Sequence, residues 1–301
     1  MKLKVGTRKS NLAMWQTHRI VELLQAAHPD LEVEIVSMLT TGDRRDDVPL
    51  PSIGAKGLFT AELEQGLLAD ELDLAVHSLK DLPSRLPEGL CFAGSPGRAR
   101  PTDALISSKW SSLAELPEGA TVATGSQRRR SQLLHHRPDL ELVDLRGNIE
   151  TRLAKLDGQG HDAIIMATAA LDRLEIGDQI TEELDPTLFV PAVGQGAMAV
   201  EIREGRDDVV ELLAPILDDT TVAAVTAERS FMGRLEGGCS VALGAYCHRA
   251  GDGRWHFYGW ASSNDGQRVV HETLQGDDPD ALADEMTDEF LRRGAREILV
   301  S

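Results

Sequence analysis

Seven basic side chains, Arg128, Arg129, Arg130, Arg137, Arg146, Arg152 and Lys155, crowd one short span of a chain whose net charge is −18. They do not run along one helix side. Arg128 and Arg129 follow Thr124-Gly125-Ser126, where a strand gives way to a helix, and Arg146 in Leu145-Arg146-Gly147-Asn148 stands at the next such junction. Arg152 falls in the first turns of the helix that Asn148 opens. At a helix N-terminus the unpaired N–H groups and the dipole favour an anion, and the guanidinium fork suits a carboxylate. A solvated basic face is the plain alternative for any charge run. Recurrence at strand-to-helix junctions instead favours a site for a small ligand with several carboxylates. The span Thr121 to Lys155 holds no Phe, Tyr or Trp to stack a base. With the acidic balance of the whole chain, that argues against nucleic acid and membrane partners.

A second group is Ala75-Val76-His77-Ser78-Leu79-Lys80-Asp81, at the C-terminal end of a predicted strand, the ligand edge of an open α/β sheet. Asp81 has the chemistry of a general acid, a general base or a carboxylate that stabilises a cation. Lys80 and any nearby arginine would keep it ionised, which suits the last role. Two residues before Pro83, it is equally compatible with a plain turn residue. His77 reads as a packed histidine. Cys239, in Leu235-Glu236-Gly237-Gly238-Cys239-Ser240, follows two glycines that leave its thiol unhindered. A lone cysteine is commonly a small buried hydrophobe; this one is the candidate for a reactive or modified thiol. Cys91 and Cys247 read as packing residues. Gly54-Ala55-Lys56-Gly57-Leu58-Phe59 is a Gly-flanked loop able to cover a ligand, with Lys56 for an anion and Phe59 offering a ring. It matches no nucleotide fingerprint. His135-His136 has no partners at metal-ligand spacing, so no metal is expected.

These groups need a scaffold. Lys2 to Thr7 reads as a strand, and Ala13, Thr17, Ile20, Val21, Leu24 and Ala27 recur at helical spacing up to His28-Pro29. Strands at Glu32 to Leu39 and Leu74 to Val76 flank a helix marked by Phe59, Leu63, Gly66 and Leu67, which predicts a mainly parallel sheet. A second α/β unit has strands near Thr121, Leu140 to Leu145 and Ala163 to Met166, with helices starting near Gln127 and Asn148. Arg98 to Thr102 and Pro191 to Gly196 read as two crossings between these units, hence a hinge, with Ala197 to Ile202 returning to the first. From Asp219 a helix runs to about Leu235. Strands at Val241 to Tyr246, Trp255 to Trp260 and Arg268 to Leu274 and a helix at Ala281 to Arg292 then form a small α+β unit.

The chain of 301 residues, 42% hydrophobic and 27% charged, has room for two or three folded domains. No stretch is apolar over the length that spans a bilayer. The basic start lacks the apolar core of a signal peptide, and three scattered cysteines form no disulfide framework. The expected compartment is the cytoplasm.

Taken together, Gly6-Thr7-Arg8-Lys9-Ser10, Gly57-Leu58-Phe59, Val76 to Asp81, Arg128-Arg129, Leu145 to Asn148, Pro191-Ala192-Val193-Gly194-Gln195-Gly196-Ala197 and Leu235 to Cys239 resemble the porphobilinogen deaminase (hydroxymethylbilane synthase) family. They span nearly the whole chain in the family's order. The resemblance implies two periplasmic-binding-protein-like α/β domains linked by a hinge, 1–97 with 197–217 and 102–191, plus a small C-terminal α+β domain, 218–301. It implies a dipyrromethane cofactor held covalently by Cys239. It also implies condensation of four porphobilinogen molecules, with loss of ammonia, to give hydroxymethylbilane. In that scheme Asp81 is the catalytic carboxylate, serving protonation and the pyrrole cations. By position, Arg8, Ser78, Lys80, Thr124, Ser126, Arg128, Arg129, Arg146, Arg152 and Arg173 match residues that hold cofactor and substrate carboxylates. Gly147 and Phe59 lie in two of the matching segments, Lys56 matches a loop lysine, and Gln195 lies in the hinge. The implied enzyme is a monomer whose product passes to a downstream tetrapyrrole-cyclising enzyme.

Some positions depart from the pattern. Ser52 stands where some relatives have a second lysine, Gly125 and Gln127 replace the commoner serine and leucine, and Ala242 replaces a frequent proline. Two rivals share the two-lobed architecture: a solute-binding protein and a transcription-regulator effector domain. The Gly-Gly-Cys239 segment and the start of the sequence, without leader or helix-turn-helix, disfavour them.

Overall fold

The computed structural model describes residues 2–44, 59–235 and 241–300. The first sheet has the order β2-β1-β3-β10-β4, with β1 Lys2–Arg8, β2 Glu32–Met38, β3 Leu74–Ser78, β4 Leu90–Gly94 and β10 Met198–Arg203. β1 pairs in parallel with β2 and β3, but β10 runs antiparallel to both β3 and β4. The sheet is therefore mixed where a mainly parallel one is expected. The reason is the return crossing: β10 enters at the end where β3 leaves, Met198 opposite Ser78, and so must run the other way.

Alternation decides what each face buries. Leu3, Val5, Leu74, Val76, Met198 and Val200 meet Ile20 and Leu24 of the helix Asn11–Ala27. On the opposite face Ala75 meets Leu63 and Leu67 of the helix Ala61–Leu68. Each of these large side chains contributes about 1.5–3 kcal/mol by leaving water. The Ser10 hydroxyl caps the first helix by accepting from the Ala13 N–H.

The second sheet has the order β7-β6-β8-β5-β9, with β5 Asp103–Ile106, β6 Thr121–Ala123, β7 Glu141–Val143, β8 Ala163–Ala167 and β9 Glu182–Glu183. Helices Gln127–His136 and Ile149–Gly158 begin at Ser126 and Asn148, whose side chains accept from the N–H groups of Arg129 and Thr151. The third sheet is the antiparallel meander of β11 Leu243–Arg249, β12 Trp255–Ser262 and β13 Val269–Gly276. Helices Asp219–Arg234 and Pro279–Arg292 cover it around Phe231, Phe257 and Phe290. Cys247 is buried in this core and Cys91 is half-buried in β4.

β5, β9 and the helix Thr168–Arg173 are elements that the sequence pattern leaves unmarked. β5 follows the first crossing directly, and β9 is only two residues long. No helix among the described residues is long and apolar enough to cross a membrane.

The two crossings bond to each other. Ala99 N–H donates to the Gly196 carbonyl at 3.0 Å. Gly196 has φ +89°, and a Cβ there would lie 2.5 Å from the Ala99 carbonyl oxygen. Buried Glu228 fastens both crossings to the third unit. Its carboxylate accepts from Arg98 at 2.6 Å, from the Gly194 N–H at 2.7 Å and from the Cys247 N–H at 2.8 Å.

Candidate active site

Asp81 ends the single 3-10 turn Leu79–Asp81 that leaves β3, so the strand end delivers it to the edge of the first sheet. A pocket there is lined by Arg8, Ser10, Gln16, Phe59, His77, Ser78 and Asp81, among others. Gln16 donates to the Ser78 hydroxyl at 2.8 Å, and the Arg8 guanidinium lies 4.3 Å from the centre of the Phe59 ring. That stacking holds the planar cation at the pocket wall.

The second unit supplies most of the positive charge. Arg128 and Arg129 both turn inward onto Asp103, at Nη2–Oδ2 2.7 Å and Nη2–Oδ1 2.7 Å. Burial alone would raise the Asp103 pKa, but Arg128 and Arg129 override it, and with Gln195 and Lys80 they bring it to about 2. Gln195 joins the two units. Its amide nitrogen donates to Asp103 at 3.0 Å, and its amide oxygen accepts from Lys80 at 3.2 Å.

Lys80 is pushed down to about 8, first by loss of hydration and then by Arg129, while Asp81 and Asp103 pull the other way. Arg152 falls to about 10, mainly through loss of hydration, then through Arg129; Asp81 opposes this and Arg146 adds to it. These mutual effects mean that Arg129, Arg146 and Arg152 of one unit and Lys80 and Asp81 of the other share one electrostatic neighbourhood. Arg173 is also lowered to about 10 by burial. It donates to the Gly196 carbonyl at 2.7 Å and lies 5.7 Å from the Trp15 ring centre across the cleft.

The loops that set these cations are local constructions. Thr124 Oγ1 accepts from the Ser126 N–H at 3.3 Å, and Ser126 caps the helix that carries Arg128 and Arg129. Gly147 has φ +109°, and a Cβ there would meet the Thr151 side chain at 2.6 Å. The Gly147 carbonyl accepts from Arg152 Nε at 2.8 Å. Gly125 also has a use. A Cβ there would lie 2.7 Å from the Leu145 carbonyl oxygen, so the commoner serine would press on that carbonyl.

Not every basic residue of the span belongs here. Arg137 bonds Asp139 and the carbonyls of Leu113 and Leu116, and Arg130 turns to Asp144 and the Leu142 carbonyl. Lys155 donates to the Arg146 carbonyl at 2.9 Å. His77 is packed, its Nε2 lying 3.0 Å from a carboxylate oxygen of buried Glu201. His135 and His136 bond backbone carbonyls, and no metal-holding cluster occurs among the described residues. Lys56 and Cys239 lie outside the described residues. Three contributors escape sequence reasoning. Gln16 had a signal, since it is polar and sits three positions after Ala13 on the buried helix stripe. Asp103 and Glu201 had none, because their partners lie 26 and 124 residues away.

The family described as "Porphobilinogen deaminase, dipyromethane cofactor binding domain" matches residues 3–211, and "Porphobilinogen deaminase, C-terminal domain" matches residues 222–292. Curated relatives named porphobilinogen deaminase match across the chain. The one from Roseiflexus castenholzii is 48% identical over 99% of this chain and 98% of its own length. That from a strain of Bacillus cereus is 46% identical, covering 100% and 97%, and that from Syntrophotalea carbinolica 44% identical, covering 99% and 95%. Among solved structures, the methionine binding protein MetQ aligns with a TM-score of 0.45 at 16% identity, over 76% of this chain and 94% of that one.

Proposed function

Because the chain belongs to the porphobilinogen deaminase family, we propose that Asp81 carries out its chemistry and that Cys239 anchors its dipyrromethane. The reaction is the stepwise condensation of four porphobilinogen molecules, with loss of ammonia, to hydroxymethylbilane.

The residues present suit a polyanionic guest. Arg128 Nε is buried with no hydrogen-bond partner. Lys80, Arg152 and Arg173 all have lowered pKa values, so their charges are held at a cost that incoming carboxylates would offset. When bound, the dipyrromethane supplies a tethered pyrrole carbon nucleophilic enough to accept the first monomer. Arg8, Arg128, Arg129, Arg146, Arg152 and Arg173, with Ser78, Thr124 and Ser126, hold and orient acetate and propionate groups. Lys80 adds a further cation, and Gln195 keeps it in register with Arg129 across the crossing. Phe59 stands in the pocket wall, and Lys56, by its match to the family's loop lysine, supplies a further cation. Asp81 faces the reacting carbon, lowers the energy of positive charge developing there, and holds or returns a proton at its carboxylate.

The single observation that carries this reading is that Lys80 of one unit and Arg152 of the other both feel the carboxylate of Asp81. The strand membership of the three sheets supports domains at 1–97 with 197–217, at 102–191 and at 218–301. The same reading takes the protein to be a monomeric cytoplasmic transferase, a hydroxymethylbilane synthase, whose product goes to a downstream tetrapyrrole-cyclising enzyme. Its strong negative charge and scattered cysteines support that setting.

Intact-mass measurement tests the reading. The wild-type protein should carry an increment of two pyrrole units and Cys239→Ser none. Equal increments on both would remove Cys239 from its role.

A further inference from the structure

The turn that carries Asp81 is gripped by a different unit. Lys80 and Asp81 lie between Leu79 and Leu82, and both leucines are fully buried. They pack in one cluster with Ala197, Ala199 and Val225. Ala199 belongs to β10 and Ala197 directly precedes it, but Val225 comes from the helix Asp219–Arg234 of the third unit. Arg229 follows Val225 by four positions, so the two share one face of that helix. Arg229 Nη2 donates to the Pro83 carbonyl at 2.9 Å, and its guanidinium carbon lies 5.9 Å from the centre of the Phe92 ring. Phe92 of β4 packs against the same cluster.

The two ends of the turn are held by different means. At its entry the Leu79 N–H donates to the Ala197 carbonyl at 3.1 Å, so the sheet fixes that end. The Leu82 N–H closes the turn on the Leu79 carbonyl at 3.1 Å. Past Asp81 no helix or strand intervenes before β4 begins at Leu90. Pro83 has no N–H, which leaves its carbonyl as the hydrogen-bonding group of its backbone, and Arg229 binds that carbonyl. Apolar packing of Val225 on the leucines has no direction of its own. A guanidinium donating to a carbonyl sets both a distance and an angle. A catalytic group displaced by about 1 Å can lose ~10² in rate, so the anchor at this end bears on the chemistry.

We propose that Arg229 is a positioning residue for the condensation: from the unit that contains Cys239, it fixes the turn that presents Asp81. Its guanidinium acts on protein backbone, unlike the arginines assigned to ligand carboxylates. The inference rests on the function proposed above, in which Asp81 does the chemistry.

Steady-state kinetics of the cofactor-loaded enzyme test it. Arg229→Met keeps an unbranched apolar stem beside Phe92 but cannot donate to Pro83. Its kcat for bilane formation should fall about tenfold. Its KM for porphobilinogen should stay within about twofold of wild type, since the carboxylate-binding arginines are untouched. Arg229→Lys can still donate to a single carbonyl and should recover most of kcat. A comparison variant separates position from stability. Met286→Ala, in the core of the third unit and outside the cluster around the turn, should lower the urea midpoint at least as far as Arg229→Met and keep wild-type kcat.

Four results overturn the proposal: wild-type kcat in Arg229→Met, a rise in KM in place of the loss in kcat, an Arg229→Lys no better than Arg229→Met, or an equal loss of kcat in Met286→Ala. Should Arg229→Met fail to fold, Arg229→Gln, whose shorter amide falls short of the Pro83 carbonyl, takes its place with the same expectations. Failure of the functional reading would appear separately, as absence of bilane from the wild type.

Discussion

Asp103 and Arg129 form a buried ion pair, with Oδ1 2.7 Å from Nη2 and 2.9 Å from Nε. Arg128 joins the same carboxylate from its other oxygen. Two of the cations expected to hold ligand carboxylates are thus pre-aligned by a carboxylate of the protein itself. Asp103 fixes their forks and cancels part of their charge, so their affinity for a guest depends on a residue that need not touch it.

Asp103→Ala should therefore leave two buried guanidinium groups uncompensated and cost about 3–5 kcal/mol of stability, measured by urea denaturation. Because the folded pKa of about 2 lies below the unfolded 3.8, the contribution of Asp103 is complete above pH 3.8 and is lost as pH falls towards 2. A variant whose acid denaturation matches the wild type would contradict this.

Lys80 should give two pH effects of opposite sign. Its folded pKa of about 8 lies below the unfolded 10.5, so between these values the unfolded chain binds more protons, and the cofactor-free protein gains stability from Lys80 as pH rises. Over the same window the neutral amine no longer attracts a carboxylate, so KM for porphobilinogen should rise above pH 8. Lys80→Met should flatten both profiles. Identical profiles in this variant would show that another group titrates.

Asp81→Ala should fold normally, since Asp81 is half-buried at the end of its turn and belongs to none of the buried hydrophobic clusters. Its kcat should fall on the order of 10²–10³ or more, the scale of a lost electrostatic partner to developing charge. Near-normal bilane formation would dismiss the assigned role.

Gly196→Ala probes the crossing. With φ +89° and a Cβ 2.5 Å from the Ala99 carbonyl oxygen, the alanine carries both backbone strain and a clash with backbone. The expected loss is at least ~2 kcal/mol, seen as a lowered thermal midpoint. A Gly205→Ala control, at φ +78° with open space around the Cβ, should lose only the strain.

How much could be read in advance follows from the range of each interaction. The strand at Lys2–Arg8, the helix Asn11–Ala27 and the capped helices after Ser126 and Asn148 are written in local periodicity and in single capping side chains. They therefore appear in the sequence nearly at their true bounds. β5 was hidden because a four-residue strand beginning with Asp103 has no alternation to announce it, and its pairing with β8 is remote in the chain. The antiparallel course of β10 was hidden likewise, since direction is set by where a crossing re-enters and not by composition.

The same division holds for chemistry. The sequence by itself determined the chemical inventory: arginines at strand-to-helix junctions, a carboxylate at a strand end, and a cysteine after two glycines, types and spacings that imply a carboxylate-rich guest. Only the tertiary structure decided which cations serve the cleft and which are tied up elsewhere, sending Arg137 to Asp139, Arg129 to Asp103 and Lys80 to Gln195. The physical reason is that a buried charge takes its behaviour from whatever lies within a few ångströms, and such neighbours arrive from anywhere in the chain.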